Sequence, residues 1–176
     1  METIVTERLI LRGWRPEDAR DLYEYAKDPE VGPNAGWKPH ESLQESVGIL
    51  QSFINQNNVW AIELRETGRV IGSFGVHRDE MRNNPRARML GYVIGRPWWG
   101  HGYAVEAANA VIDYVFASGE IDLLSILHFG FNPRSGRVAQ KLGFTREGEL
   151  ADARVLYDGR VTSAVCYRLK RSDRVK

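Results

Sequence analysis

The stretch Gly91-Tyr92-Val93-Ile94-Gly95-Arg96-Pro97-Trp98-Trp99-Gly100-His101-Gly102-Tyr103-Ala104 decides the fold. Leu90 to Ile94 is a short apolar run bounded by glycine, the pattern of a buried strand. Residues 95 to 102 hold three glycines and a proline, which excludes the interior of a strand or helix. From Tyr103 the period changes. Val105, Ala108, Ile112 and Val115 recur at spacings of three and four, one face of a helix running to about Ser118. A glycine loop between a strand and a helix start suits phosphate. The first N–H groups of a helix lack internal partners, and the dipole makes that end positive. Glycines let successive N–H groups converge on an anion with no Cβ in the way. The same pattern also serves as a tight turn in which glycine is needed only for sterics. Two phosphate loops do not fit. Gly95 and Gly100 have the spacing of an NTPase loop, but His101 stands where that loop needs Lys and Gly102 where it needs Ser or Thr. In the dinucleotide fingerprint the third glycine position would fall on Val105.

The length suits a single domain, residues 1–176, with a real core. Lys and Arg number 24 against 23 Asp and Glu, so charge argues for neither a nucleic-acid nor a membrane-surface partner. One cysteine, Cys166, excludes an internal disulfide and a cysteine-based zinc site; no metal is expected. No apolar run is long enough to span a bilayer and no leader precedes the domain, so the expected location is the cytoplasm.

In chain order, Thr6 to Arg12 alternates around Leu9 and Leu11 as a first strand. Pro16 opens a helix whose stripe is Ala19, Leu22, Tyr23 and Ala26, ended by Asp28-Pro29. Gly32 to His40 reads as a loop. Its Trp37, beside His40, either lines a substrate mouth or folds back onto the core. Ser42-x-x-Glu45 is a capping box, followed by the stripe Leu43, Val47, Leu50 and Ile54. Trp60, Ile62 and Leu64 form one arm of a hairpin that turns at Glu66 to Arg69 and returns through Val70. His77 to Arg86 is a polar connection. Leu123 to Phe129 is a fifth strand. Asn132-Pro133 opens a helix stopped at Gly143. Phe144–Leu150 and Val161–Leu169 are the last two strands, joined at Asp158-Gly159. The order is β-α-α-β-β-β-α-β-α-β-β, an α/β (α+β) chain.

The glycine loop resembles the acyl-CoA loop of the GNAT superfamily of N-acetyltransferases, Gln/Arg-x-x-Gly-x-Gly/Ala. Gly100 and Gly102 match and Pro97 takes the Gln/Arg position. Trp99 to Ala107 is most similar to the RimJ/RimL-like branch, the ribosomal-protein N-terminal acetyltransferases. Thr6-Glu7-Arg8-Leu9-Ile10-Leu11-Arg12, then Pro16-Glu17-Asp18 and Asp28-Pro29-Glu30-Val31, are typical of that branch. Asn132-x-x-Ser135-x-Arg137-Val138-x-x-Lys141-Leu142-Gly143-Phe144 resembles its second signature. By capping logic alone Asn132 and Ser135 would simply start the helix. The resemblance covers nearly the whole chain. It implies a mixed, mostly antiparallel sheet of seven strands flanked by about four helices.

It also implies acetyl-CoA as cosubstrate, contacted by Val93, Ile94, Trp99, Gly100, His101, Gly102, Tyr103, Ala104, Asn132 and Arg137. Arg134 and Lys141 share a face with Arg137, where one or two of them would meet the 3′-phosphate. The implied reaction is direct transfer of acetyl to a primary amine, a protein N-terminus or a small amine. The thioester oxygen gains charge and needs an N–H donor; Val93, Ile94 and Gly95 are the positions. A lysine-type ammonium, with a pKa of roughly 10, must lose a proton; His77 and His128 are the candidate bases. Ser135, ahead of Tyr103, is the candidate proton donor to the thiolate, with Asn132 beside it. Glu106 would pack or hold a water. Trp37, His40 and Tyr157 are candidate acceptor contacts. The resemblance allows a homodimer. The competing class is a CoA-binding sensor that lost turnover.

Overall fold

The computed structural model describes residues 1–174. The strands are β1 (Ile4–Val5), β2 (Leu9–Arg12), β3 (Val59–Leu64), β4 (Val70–Arg78), β5 (Ala87–Ile94), β6 (Leu123–Phe129), β7 (Thr145–Val155) and β8 (Val161–Lys170). The helices are α1 (Ala19–Ala26), α2 (Gly32–Ala35), α3 (Leu43–Gln56), α4 (Tyr103–Ala117), α5 (Pro133–Lys141) and α6 (Arg171–Arg174), with single 3-10 turns at Pro16–Asp18 and Arg96–Trp98. The expected mixed, mostly antiparallel α+β arrangement is present. Eight described strands replace the seven expected, and the two extra helices, α2 and α6, are single turns of four residues.

The extra strand has a local cause. Thr6 to Arg8, expected within the first strand, is a turn. The Thr6 N–H donates to the Leu9 carbonyl (2.9 Å) and the Leu9 N–H to the Thr6 hydroxyl (3.0 Å). The chain folds back, pairing Ile4 with Leu11 and Val5 with Ile10.

Two compact units are distinguished, and β4, β5 and α4 run through both. The first holds Met1–Gly75 and Tyr92–Ala107. In it β1, β2, β3 and β4 are neighbours in that order, all antiparallel, with a register shift at Ile62/Glu63. Its core gathers Trp14, Leu22, Tyr25, Ala26, Val31, Leu50, Ala61 and Val70, with Trp37, Phe53, Val93 and Trp99 packed against them. Tyr25 is buried where the expected α1 stripe had Tyr23. The inner face of α3 is also rotated from the expected one. Leu43 and Val47 are exposed, while Ser46 and Leu50 are buried. Ser46 can be buried because its hydroxyl bonds His40 Nδ1 at 2.7 Å, which removes the cost of an unpaired polar group. The capping box is half realised: Ser42 accepts from the Glu45 N–H, but the Glu45 carboxylate reaches the Glu41 N–H.

A buried ion cluster ties β2 to β3 and to the turn before α1. The Arg12 guanidinium binds Asp18 through both outer nitrogens (2.8 and 2.9 Å) and Glu63 through Nε (2.5 Å). Asp18 also accepts the Arg15 N–H at 2.8 Å. Asp18 foremost, then Glu63, raise the Arg12 pKa against the cost of burial.

The second unit holds Val76–Gly91 and the chain from Ala108 onward. β5 pairs parallel with β6 over Ala87–Leu90 against Leu123–Ile126. Beyond Ile126, β6 continues to Phe129 in antiparallel register with β8, ending at Phe129↔Ala164. β7 pairs with β8, with register shifts at Arg146/Gly148 and Leu150/Arg154. The polar connection after β4 is anchored by buried Asp79, which accepts from Ser125 Oγ (2.7 Å), the Met81 N–H (2.9 Å) and Arg82 (2.8 Å). Arg82 pairs on its other side with Glu147.

Candidate functional site

The glycines of the loop before α4 are there for two different reasons. Gly95 has an ordinary φ of −61°. It is glycine because a Cβ there would come within 2.7 Å of the Trp98 ring and 2.9 Å of Tyr25. Gly100 and Gly102 sit at φ +82° and +84°, the left-handed region that costs other residues. A Cβ at Gly100 would meet nothing within 4 Å, and one at Gly102 only Arg8 Nη2 at 3.6 Å. The loop is therefore exposed and uncrowded at both glycines. Its first intrahelical bond runs from the Glu106 N–H to the Gly102 carbonyl, 3.0 Å, so the preceding amides have no helical acceptor. Successive amides around left-handed glycines at a helix start form an anion cradle.

The strand feeding the loop lies very close to its neighbour at one point. A Cβ on Gly72 would overlap the Val93 carbonyl oxygen and lie 3.1 Å from Ile94 Cα. β4 and β5 thus approach closer at this point than a side chain permits. The Gly95 N–H donates to the Ile71 carbonyl at 2.8 Å, so its amide is committed to the sheet and Gly95 is not the expected thioester donor. The Trp99 indole N–H closes onto the Ile94 carbonyl at 2.6 Å. Trp99 therefore braces the loop against the strand end. The His101 ring stacks on Tyr103 with centroids 5.7 Å apart. Arg96, beside Pro97, turns to Glu30 at 3.2 Å. Glu106 is held in a hydrogen-bond network. It accepts from the Thr6 hydroxyl (2.6 Å), the Arg8 N–H (2.9 Å) and the Arg8 guanidinium (2.7 Å). Burial opposes its ionisation, but Thr6 and both groups of Arg8 outweigh it and lower its pKa. Nothing in the spacing of Arg8 and Glu106 along the chain announces this pair.

Trp37 folds back. Its ring lies 5.3 Å from His40, and a Cβ on Gly32 would strike its six-membered edge. His40 is buried and Trp37 partly buried against the core. Tyr157, near the β7–β8 turn, is exposed.

In the second unit, the end of β6 and the start of α5 bring His128, Asn132 and Ser135 into one segment. The Asn132 side chain does not cap α5, which sets aside the capping explanation for it. The Ser135 N–H reaches the Asn132 carbonyl at 3.3 Å. Arg134, Arg137 and Lys141 are all exposed, while α5 buries Gly136 and Ala139. His128 is buried. Its Nδ1 donates to the Phe129 carbonyl at 2.8 Å, the only role open to a ring nitrogen facing a carbonyl. Its Nε2 packs on Gly136, 2.7 Å from where a Cβ would stand. The Tyr167 ring lies 5.7 Å away. His77 is half-buried over Gly91, 3.8 Å from a Cβ there, and burial lowers its pKa.

Burial likewise lowers the pKa of His40. In both rings burial disfavours the charged form, so each pKa lies below the ordinary 6.5. Below that pH the unfolded chain binds protons that the folded chain refuses, so stability falls as pH falls, until the folded pKa values are passed. Urea denaturation from pH 7.5 to 5 should show this decline. His40→Gln with His77→Gln should flatten it, and an unaltered slope would show that other groups carry it.

Comparison with known proteins decides the assignment. Residues 8–145 match the acetyltransferase (GNAT) domain. The chain belongs to the GNAT acetyltransferase family. It is 36% identical over 157 residues to the uncharacterized N-acetyltransferase p20 of Bacillus licheniformis, covering 86% of this chain and 87% of that one. It is 28% identical over 171 residues to the ribosomal protein uS5-alanine N-acetyltransferase of Escherichia coli, covering 89% and 84%. Among solved structures, a GNAT-family acetyltransferase from Bacillus anthracis superposes with a TM-score of 0.87 at 20% identity, covering 97% and 99%. The microcin C7 self-immunity acetyltransferase MccE, solved with acetyl-CoA and AMP, superposes with a TM-score of 0.80 at 21% identity, covering 94% and 93%. These two share the GNAT fold. The chain is thus an N-acetyltransferase of RimJ-type kinship that uses acetyl-CoA and acts on an amine. Among the described residues no helix is long and apolar enough to cross a membrane.

Proposed function

We propose that this acetyltransferase moves acetyl from acetyl-CoA to the α-amine of a protein N-terminus. The observation that carries the coenzyme half is the pair of left-handed glycines, Gly100 and Gly102, open to solvent at the start of α4. In this reading the amides of residues 100 to 104 hold the diphosphate, beside Trp99, His101 and Tyr103. A main-chain N–H of Val93 or Ile94 stabilises the charge developing on the thioester oxygen; a donor fixed in place is worth most where charge appears. Asn132 and Ser135 attend the acyl end, with Ser135 protonating the departing thiolate, and Arg137 meets the 3′-phosphate.

The acceptor half rests on proton affinity. His77, whose pKa burial lowers, is the base in this reading, while His128, packed under Gly136, positions α5. An imidazole below 6.5 is poorly matched to a lysine ammonium near 10.4, but closer to an α-ammonium of about 7.8. The kinship with an enzyme that acts on an alanine of uS5 points the same way.

The test is release of free CoA with a panel of amines: a peptide beginning with alanine, the same peptide with a blocked N-terminus and one lysine, and a polyamine. The unblocked peptide should be turned over best. Equal turnover of the blocked peptide would overturn the α-amine assignment. Acetyl-CoA binding with no amine-stimulated release would favour a sensor. Gly102→Val should bind acetyl-CoA at least about tenfold more weakly and stay folded, because left-handed backbone strains a β-branched residue at an exposed position. Unchanged affinity in calorimetry would remove the loop from the site.

A further inference from the structure

The loop is not left to find its own shape. We propose that Arg8, locked by Glu106, is a positioning residue that sets the glycine loop in its anion-binding conformation before the coenzyme arrives. This rests on the coenzyme reading above.

One guanidinium touches the loop at His101, passes Gly102 and lies over Tyr103, the first residue of α4. Arg8 Nη1 donates to the His101 carbonyl at 3.0 Å. Nη2 lies 3.6 Å from where a Cβ on Gly102 would stand. The guanidinium carbon sits 4.6 Å from the centre of the Tyr103 ring. The guanidinium is itself immobilised: Nε and Nη2 hold Glu106 Oε2 at 2.7 and 2.6 Å. The other oxygen of the same carboxylate accepts the Arg8 N–H and the Thr6 hydroxyl. Main chain and side chain of Arg8 are thereby tied to one residue in the first turn of α4.

Two glycines make such a loop conformationally free, and ordering it on binding would weaken affinity. Turning the His101 carbonyl toward Arg8 orients that peptide group and relieves the cradle of one choice. The charge of Arg8 is cancelled by Glu106, so the device acts through geometry. A fork of five donors can serve a carboxylate and a carbonyl at once; a lysine ammonium on a flexible stem does not match it. This also accounts for Thr6-x-Arg8 at the opening of the chain, a motif remote in sequence from the loop it serves.

The experiment compares Arg8→Gln, Arg8→Lys and Glu106→Gln with the wild type in the full chain. Three quantities are read: acetyl-CoA affinity by calorimetry, kcat/KM with acetyl-CoA against acetyl-pantetheine, and amide hydrogen exchange of residues 100 to 104 without ligand. Loss of charge-assisted hydrogen bonds should weaken acetyl-CoA binding about tenfold or more in both Arg8 variants. Exchange in the loop should quicken. Acetyl-pantetheine, which lacks the diphosphate, should lose far less, so the ratio of the two kcat/KM values shifts. Arg8→Lys behaving as wild type would mean that charge alone suffices and would overturn the proposal, as would unchanged affinity and exchange in Arg8→Gln. If the wild type itself fails to bind acetyl-CoA, the coenzyme reading falls, and loop exchange still decides whether the clamp orders the loop.

Discussion

Gly72→Ala should give a protein that is both destabilised and inactive. No vacancy exists for its methyl group: it would overlap the Val93 carbonyl oxygen and crowd Ile94 Cα. These are backbone atoms, which cannot rotate aside as the tip of a side chain can. The β5 strand must move away from β4, and the bond from the Gly95 N–H to the Ile71 carbonyl stretches with it. Forced overpacking in a well-packed interior costs about 1–3 kcal/mol and occasionally more. The same shift would displace the Val93 and Ile94 amides proposed to face the thioester, and a misplacement of about 1 Å there is worth roughly a hundredfold in rate. Gly91→Ala is the control on the same strand. Its methyl would stand 3.8 Å from the His77 ring, an ordinary contact, and the change should be close to neutral in urea denaturation. Wild-type stability and turnover in Gly72→Ala would show that the two strands have slack.

Arg12→Met should cost about 3–5 kcal/mol, the usual penalty for removing one partner of a buried ion cluster. Arg12 and Asp18 are 6% and 7% exposed, and Glu63 shares the guanidinium. Without the cation two carboxylates face each other away from water, and one must take up a proton or the turn before α1 must open. The triple variant Arg12→Met, Asp18→Leu, Glu63→Leu should recover part of the loss, because an apolar cluster carries no desolvation penalty. Recovery should stop short of wild type, since the Arg15 N–H would lose its bond to Asp18. Urea midpoints of the three proteins measure this. A midpoint for Arg12→Met close to wild type would show that water reaches the cluster.

Much of the fold was legible in the chain. The strand, glycine loop and helix around Gly91 to Ala104 fell where periodicity placed them, and so did β6, α5 and the stop at Gly143. These are local signals: an apolar run, a change of period, a glycine at φ +82° after a helix. Misreadings arose where a contact distant in sequence overruled a local pattern. Thr6 to Arg8 alternates like a strand but is bent by its bonds to Leu9 and Glu106. α3 turned its Ser46 inward because His40 supplies a partner. Trp37 could have faced either way, and Gly32 decided it by leaving room for the ring.

The sequence by itself determined the order of the main elements and the family, because each depends on neighbours along the chain. Only the tertiary structure decided that the Gly95 amide belongs to the sheet, that Gly72 exists to admit the Val93 carbonyl, and that Arg8 grips the loop through Glu106. Those facts join residues 8, 72, 95 and 106, and no periodicity relates such positions. They are fixed by close approach of backbone atoms and by the directionality of hydrogen bonds, which come into being only when the chain has folded.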